Sequence, residues 1–151
     1  MLRPRLNEAL KEAMKSKNVR ATSTLRLILA ALKDRDIASR TGGDREGISD
    51  DDILKLLQSM IKQRRDSIEA FTKGGRPELA QQEQEEIDII QTFLPQQMSD
   101  PEIDVAVETA IKDAQASSLK QMGQVMGLLR ERYSGRMDFA KAGAQVKARL
   151  G

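Results

Sequence analysis

The sequence predicts an all-α protein: a four-helix N-terminal domain over residues 1–95, then a small three-helix C-terminal domain over residues 96–151. Three observations carry this. Apolar residues recur every three to four positions along almost the whole chain. No segment alternates apolar and polar with period two, and aromatic residues make up only 3 %. Glycine, proline and serine signals then cut the helical pattern into pieces of ordinary helix length.

The first piece carries Leu2, Leu6, Leu10 and Met14, four apart, and is expected to end near Lys17-Asn18. The second, from about Ala21 to Ser39, turns Leu25, Ile28, Leu29 and Leu32 inward, and Thr41-Gly42-Gly43-Asp44 breaks it. Ser49 or Asp50 caps the third, with Asp51 and Asp52 in the first turn, where the helix dipole favours anions. Its inward stripe is Ile53, Leu56, Leu57, Met60 and Ile61, then the stem of Arg64, Ile68 and Phe71. Gly74-Gly75 ends it. Pro77 fits the first turn of a fourth helix carrying Leu79, Ile87, Ile90 and Leu94, which stops before Pro95.

Residues 95–101 read as a linker with two prolines and a helix-start signal, Ser99-Asp100. The fifth helix runs from about Pro101 to Ala114 with Ile103, Val107, Ala110 and Ile111 inward. The sixth opens on Ser118-Leu119-Lys120-Gln121, a capping-box pattern, and runs to about Tyr133 before Ser134-Gly135. Asp138 caps the seventh, whose face holds Ala142, Val146 and Leu150.

Composition excludes several chemistries. The chain has no cysteine and no histidine, so no disulfide, thiolate nucleophile or zinc site built on those residues can form. The side chain that most often moves protons near neutral pH is also missing. No phosphate-cradling G-x-x-x-x-G-K-[ST] string occurs. Ser117 and Lys120 form an S-x-x-K string, but the start of the sixth helix explains both. Asp50-Asp51-Asp52 and Glu83, Glu85 and Glu86 read as a helix start and a solvated face rather than as metal ligands, because adjacent helical residues point different ways. No metal, cofactor or catalytic constellation is therefore expected. No secretory apolar stretch follows Met1-Leu2-Arg3-Pro4-Arg5. The longest apolar run, residues 27–32, is far short of the ~20 residues that span a bilayer. The expected location is the cytoplasm, with no membrane partner.

Charge is unevenly spread beneath the net +2. Residues 1–73 hold 16 basic and 11 acidic side chains, residues 74–118 hold 2 and 10, and residues 119–151 hold 7 and 2. The flanking blocks either pair with the acidic middle or meet a polyanion such as RNA. Within the last block, Met122-Gly123-Gln124-Val125-Met126-Gly127 puts two glycines on one helix face. Each costs about 1 kcal/mol against alanine in a helix interior. Either close helix–helix contact or close approach of a ligand or RNA backbone offsets that cost. Met122, Val125, Met126, Leu129 and Tyr133 on the other side read as core. Lys120, Arg130, Arg132, Arg136, Lys141 and Lys147 are the candidate RNA-contacting cations. With only Tyr133 and Phe139 nearby, contact to phosphates and shape is expected rather than base stacking.

Several strings, in this order, carry a family resemblance. They are Thr24-Leu25-Arg26 through Ala30-Ala31-Leu32-Lys33, then Arg64-Arg65-Asp66-Ser67-Ile68-Glu69 with Phe71, and Gly75-Arg76-Pro77-Glu78-Leu79-Ala80. Phe93-Leu94-Pro95 follows, then Met122 to Gly127, Gly135-Arg136-Met137-Asp138 and Val146-Lys147. Across nearly its full length the chain resembles the GatB/YqeY family. The resemblance implies a helical N-terminal domain and a tail similar to that of the B subunit of the tRNA-dependent amidotransferase, where the tail is implicated in gripping tRNA. It also implies a label, carbon–nitrogen ligase activity with glutamine as amido-N-donor, that belongs to the whole amidotransferase; the catalytic parts of that enzyme are missing here. Gly123, Met126, Gly127, Gly135 and Asp138 match the tail motif, and Phe93 stands where such proteins often have Tyr. The expected function is a non-catalytic tRNA-binding accessory protein. The alternative is a protein–protein adaptor docking on an amidotransferase or an aminoacyl-tRNA synthetase.

Overall fold

A computed structural model describes residues 1–40 and 47–151. It is all-α: among the described residues there are seven α-helices, one short 3-10 turn and no strand. In chain order the helices are α1 (Leu2–Lys15), α2 (Val19–Arg40), α3 (Asp50–Lys73), α4 (Pro77–Gln91), α5 (Asp100–Ala114), α6 (Met122–Tyr133) and α7 (Phe139–Leu150), with the 3-10 turn at Leu119–Gln121. The helices form two compact units, Met1–Leu94 and Pro95–Gly151, each with its own apolar core.

In the first unit α3 packs most extensively on α4, α1 packs on α2, and α2 also touches α3 and α4. Leu6, Ile28, Ile53, Leu57, Ile87 and Ile90 are its most deeply buried side chains. The four-residue spacing in α1 misleads at its end. Twelve residues after Leu2 a helix has turned about 120° too far, whereas eleven bring Ala13 back within about 20°. Ala13 is accordingly buried and Met14 is 52 % exposed. Helix α2 begins two residues earlier than its apolar spacing suggests, and the Asn18 side chain accepts from the Ala21 N–H (3.0 Å). The expected break at residues 41–44 lies outside the described residues.

Of the two candidate caps for α3, Ser49 takes the role: its hydroxyl accepts from the Asp52 N–H at 3.2 Å. Asp50 instead receives the N-terminal ammonium and the Leu2 N–H. Gly75, at φ +72, closes α3 in a Schellman motif, with Arg76 N–H donating to Phe71 O (2.8 Å) and Gly75 N–H to Thr72 O (3.2 Å). Leu94, expected on α4, falls beyond its end at Gln91, while Phe93 tucks in at 8 % exposure.

Of the α4 carboxylates, Glu83, Glu85 and Glu86 are not simply a solvated face. Glu85 pairs with Arg20 of α2 at 3.1 Å and Glu86 with Arg64 of α3 at 2.9 Å, the second pair largely shielded from water. Burial pushes the Glu83 carboxyl above its ordinary range, with neighbouring Glu86 adding to the shift and Arg64 opposing it. A second cross-helix knot joins α1 to α2. Arg3 donates from both guanidinium ends to the Asp36 carboxylate (2.6 Å each) and to Ile48 O (2.9 Å), and the Ile48 N–H donates to Asp36 (3.0 Å). Gly47, at φ +89, fits against this knot; a Cβ there would stand 2.6 Å from both Arg3 and Asp36.

In the second unit α5, α6 and α7 all touch one another. Val107, Ala110, Val125, Leu129, Met137, Ala142 and Val146 are fully buried. Ser99 and Glu102 cap α5 reciprocally, as a capping box requires. Asp138 caps α7, its carboxylate accepting from the N–H groups of Ala140 and Lys141.

Candidate functional site

The candidate site starts from α6. At about 100° per residue, its buried Val125, Met126 and Leu129 face the core, Gly123 and Gly127 (i, i+4) lie on the other side, and Arg130 stands at the edge of that side, about 90° from the centre of the buried face. The two glycines are exposed, and a Cβ built at either meets nothing within 4 Å. Close helix–helix contact therefore does not account for them. Gly143 of α7 is the glycine of this unit's helices that faces a neighbour, and even there a Cβ would make only ordinary contact, 3.8 Å from the methyls of Met122 and Met126. Met122, Val125, Met126, Leu129 and Tyr133 form or flank the core as expected.

The six candidate cations divide. Arg132, about half a turn round from the glycines, pairs with Asp113 of α5 at 2.8 Å. Lys141 pairs with Asp100 at 3.1 Å. Arg136 donates through Nε to Gln96 O (3.2 Å), and its carbonyl accepts from the Met98 N–H (2.9 Å). It stitches the turn after α6 to the segment before α5. Lys120, Arg130 and Lys147 remain exposed and form no ion pair among the described residues. Arg130 shares the glycine face. Glu131, four residues after Gly127, flanks the same glycines on their other edge. Sequence order alone cannot separate Arg130 from Arg132; helical angle does.

The other motif residues, Met126, Gly135 and Asp138, serve the architecture. Met126 is buried. Gly135 is buried at φ +79 and its carbonyl accepts from the Gln97 amide at 2.7 Å. Asp138 is the cap of α7. Ser118, expected to cap α6, makes no side-chain cap bond, because the chain enters through a 3-10 turn. Gln121 reaches back one residue further, accepting from the Ser117 N–H at 2.7 Å. The Ser117 hydroxyl faces that same amide oxygen at 3.4 Å rather than the Lys120 amine.

Comparison with known proteins places these features in context. A family model described as Yqey-like protein matches residues 3–150. "Altered inheritance of mitochondria protein 41, mitochondrial" of Pyrenophora tritici-repentis is 33 % identical over 135 residues, covering 88 % of this chain and 71 % of that protein. The protein of the same name in Lachancea thermotolerans is 34 % identical over 115 residues, 75 % of this chain and 59 % of its own length. In Saccharomyces cerevisiae the figures are 30 % over 125 residues, 78 % and 64 %. The chain thus spans between three fifths and three quarters of these relatives.

Their names correct the expected location. The relatives are mitochondrial proteins, which points to the mitochondrion rather than the cytoplasm. A lack of cysteine and of long apolar runs suits both aqueous compartments equally, so those observations had no power to choose between them.

Proposed function

The chain belongs to the Yqey-like protein family, and from that membership we propose that it is a non-catalytic accessory protein that grips an anionic RNA, tRNA above all, through the outward face of α6. The observation that carries this reading is the uncovered pair Gly123 and Gly127 with Arg130 on the same face. Gly127 lies in the helix interior, where a glycine costs about 1 kcal/mol, Gly123 stands in the first turn of α6, and no contact in their own unit needs either to be a glycine. Without side chains, a phosphate backbone can approach the helix closely, and Arg130 stands at the end of that face to meet it. Lys120 and Lys147 add charge that no carboxylate among the described residues neutralises. Arg132, Arg136 and Lys141 are set aside from the contact set because each already meets an acceptor within its own unit.

In this reading Pro95–Gly151 acts as a domain of its own, the counterpart of the amidotransferase B-subunit tail that it resembles. The ligase label then describes the larger enzyme and not this chain. Filter retention of total tRNA, titrated with protein at several salt concentrations, tests the proposal. Affinity falls steeply with salt, and Arg130→Glu weakens it about tenfold while Arg132→Ala barely changes it. Absence of retention at micromolar protein in low salt overturns the proposal.

A further inference from the structure

A different surface, in the unit Met1–Leu94, carries side chains that its core does not use. At the corner between α1 and α2, an open cavity of about 440 Å³ is lined by Met14, Lys17, Val19, Thr22, Ser23 and Arg26. Met14 is 52 % exposed and Val19 80 %. Leu27, two turns along α2 from Val19, is 48 % exposed. Val19, Ser23, Arg26 and Leu27 share the outward side of α2, while Thr24, Leu25, Ile28 and Leu32 are buried on the other. One helix therefore offers apolar groups on two sides, and one of them faces water.

The rim is cationic and strained. Lys17 sits at φ 58, the left-handed position of a Schellman closure in which its N–H donates to Met14 O (3.3 Å) and the Asn18 N–H to Ala13 O (3.0 Å). Glycine fits that position without penalty; a lysine there is strained. Residues 11–33 hold six basic side chains and one acidic. Arg20 is taken by Glu85, but Lys11, Lys15, Lys17, Arg26 and Lys33 form no ion pair among the described residues.

We propose that this corner is a docking surface for an acidic amphipathic helix of a partner protein. Aliphatic anchors of that helix enter between Met14 and Val19, and its flanking carboxylates meet Lys17 and Arg26. Nucleic acid fits less well: no aromatic ring lines the cavity to stack a base, and aliphatic side chains give phosphates nothing. The proposal concerns the first unit and stands apart from the RNA reading of α6.

Fluorescence anisotropy with two labelled synthetic peptides tests it. One is a Glu-rich helix with leucines at i, i+3, i+4 and i+7; the other has the same charge with serines in place of the leucines. The full chain binds the leucine peptide at least about tenfold more tightly, a difference of about 1.4 kcal/mol. Met14→Ser combined with Val19→Ser removes that advantage, and Arg26→Gln flattens its salt dependence, while Arg130→Glu leaves both unchanged. All three sites lie at the surface, and unaltered thermal melts establish that the variants fold. Equal binding of the two peptides, or an unaffected double variant, overturns the proposal. So does displacement of the peptide by tRNA, preferential binding of phosphatidylserine vesicles, or a sedimenting dimer that the double variant dissolves, since each assigns the corner to another occupant.

Discussion

In Met1–Leu94 charge ties helices together across long stretches of chain; in Pro95–Gly151 local caps fix the helix ends. Arg3 with Asp36, Arg20 with Glu85 and Arg64 with Glu86 each bridge two helices, and the first and last are mostly shielded. The second unit relies on Ser99 with Glu102, on Asp138 and on the Gly135 turn, and its ion pairs are more exposed. Both units keep outward cations with no ion pair among the described residues, Lys17 and Arg26 in the first and Arg130 in the second, but only in the first do mostly shielded pairs hold helices to one another.

The strongest way to break this contrast is at Arg3. Arg3→Ala removes a two-pronged, charge-assisted contact and leaves Asp36 without its partner, so stability falls by about 3 kcal/mol. Lys141→Ala, which loses only an exposed pair with Asp100, costs less than about 0.5 kcal/mol. Urea melts of the two variants read the difference, and equal losses would erase the distinction between the units. The same knot sets a pH dependence. The Arg3 guanidinium holds the Asp36 carboxyl below its ordinary value of 3.8, with the Ile48 N–H assisting. A depressed carboxyl contributes stability that is full above that value and is lost as pH falls through the lower folded-state value. Glu83, raised by burial, acts with opposite sign: stability is gained as its carboxyl takes a proton. Arg3→Ala therefore flattens the steep acid limb below 3.8 and leaves the Glu83 contribution in place.

Next in size is a gain. Gly123→Ala with Gly127→Ala adds two methyls into open space on an exposed helix face. Helix propensity raises stability by about 1 kcal/mol, nearly all of it from Gly127, because Gly123 stands in the first turn of α6. Retention of tRNA falls at the same time if the bare face is a contact. A stabilised variant that still binds tRNA with full affinity would remove the glycines from the proposed site. Gly47→Ala is the control in the first unit. There the backbone is left-handed and the methyl would run into Arg3 and Asp36, so the sign reverses and stability drops.

Much of this architecture was legible in residue order. Long helices with strong 3.6-residue patterns, such as α3 with Ile53, Leu56, Leu57, Met60 and Ile61, announce both their extent and their buried face. Caps whose partner lies three residues on, Ser99 with Glu102, are equally visible. What stayed hidden depends on angle or on distance along the chain. Met14 drifts off the core because a four-residue step overshoots a helical turn. Arg132 and Arg130 look alike until the fold puts Asp113 beside one of them. The knot brings Arg3 to Asp36, 33 positions away, and to Gly47 beyond it, and no local pattern signals it. The α1–α2 corner was missed for a related reason: a helix with apolar residues on two sides reads as core, and only exposure separates them.

The smallest effect compares the two units at matched positions. Lys17 after α1 and Gln115 after α5 both stand in the left-handed conformation, at φ 58 and φ 52, in the same Schellman closure. The Gln115 N–H donates to Lys112 O and the Ala116 N–H to Ile111 O, each at 3.1 Å. A glycine at either place relieves about 1 kcal/mol of strain, partly offset by the greater freedom it gives the unfolded chain. Thermal melts of Lys17→Gly and Gln115→Gly should therefore shift upward by similar amounts. Their binding behaviour should differ. Lys17→Gly also removes a rim cation and weakens the leucine-bearing acidic peptide severalfold, whereas Gln115→Gly leaves both the peptide and tRNA untouched. If both variants gain stability and neither loses affinity, the Lys17 ammonium is no part of the docking surface, and the α1–α2 helix end is no different from the one after α5.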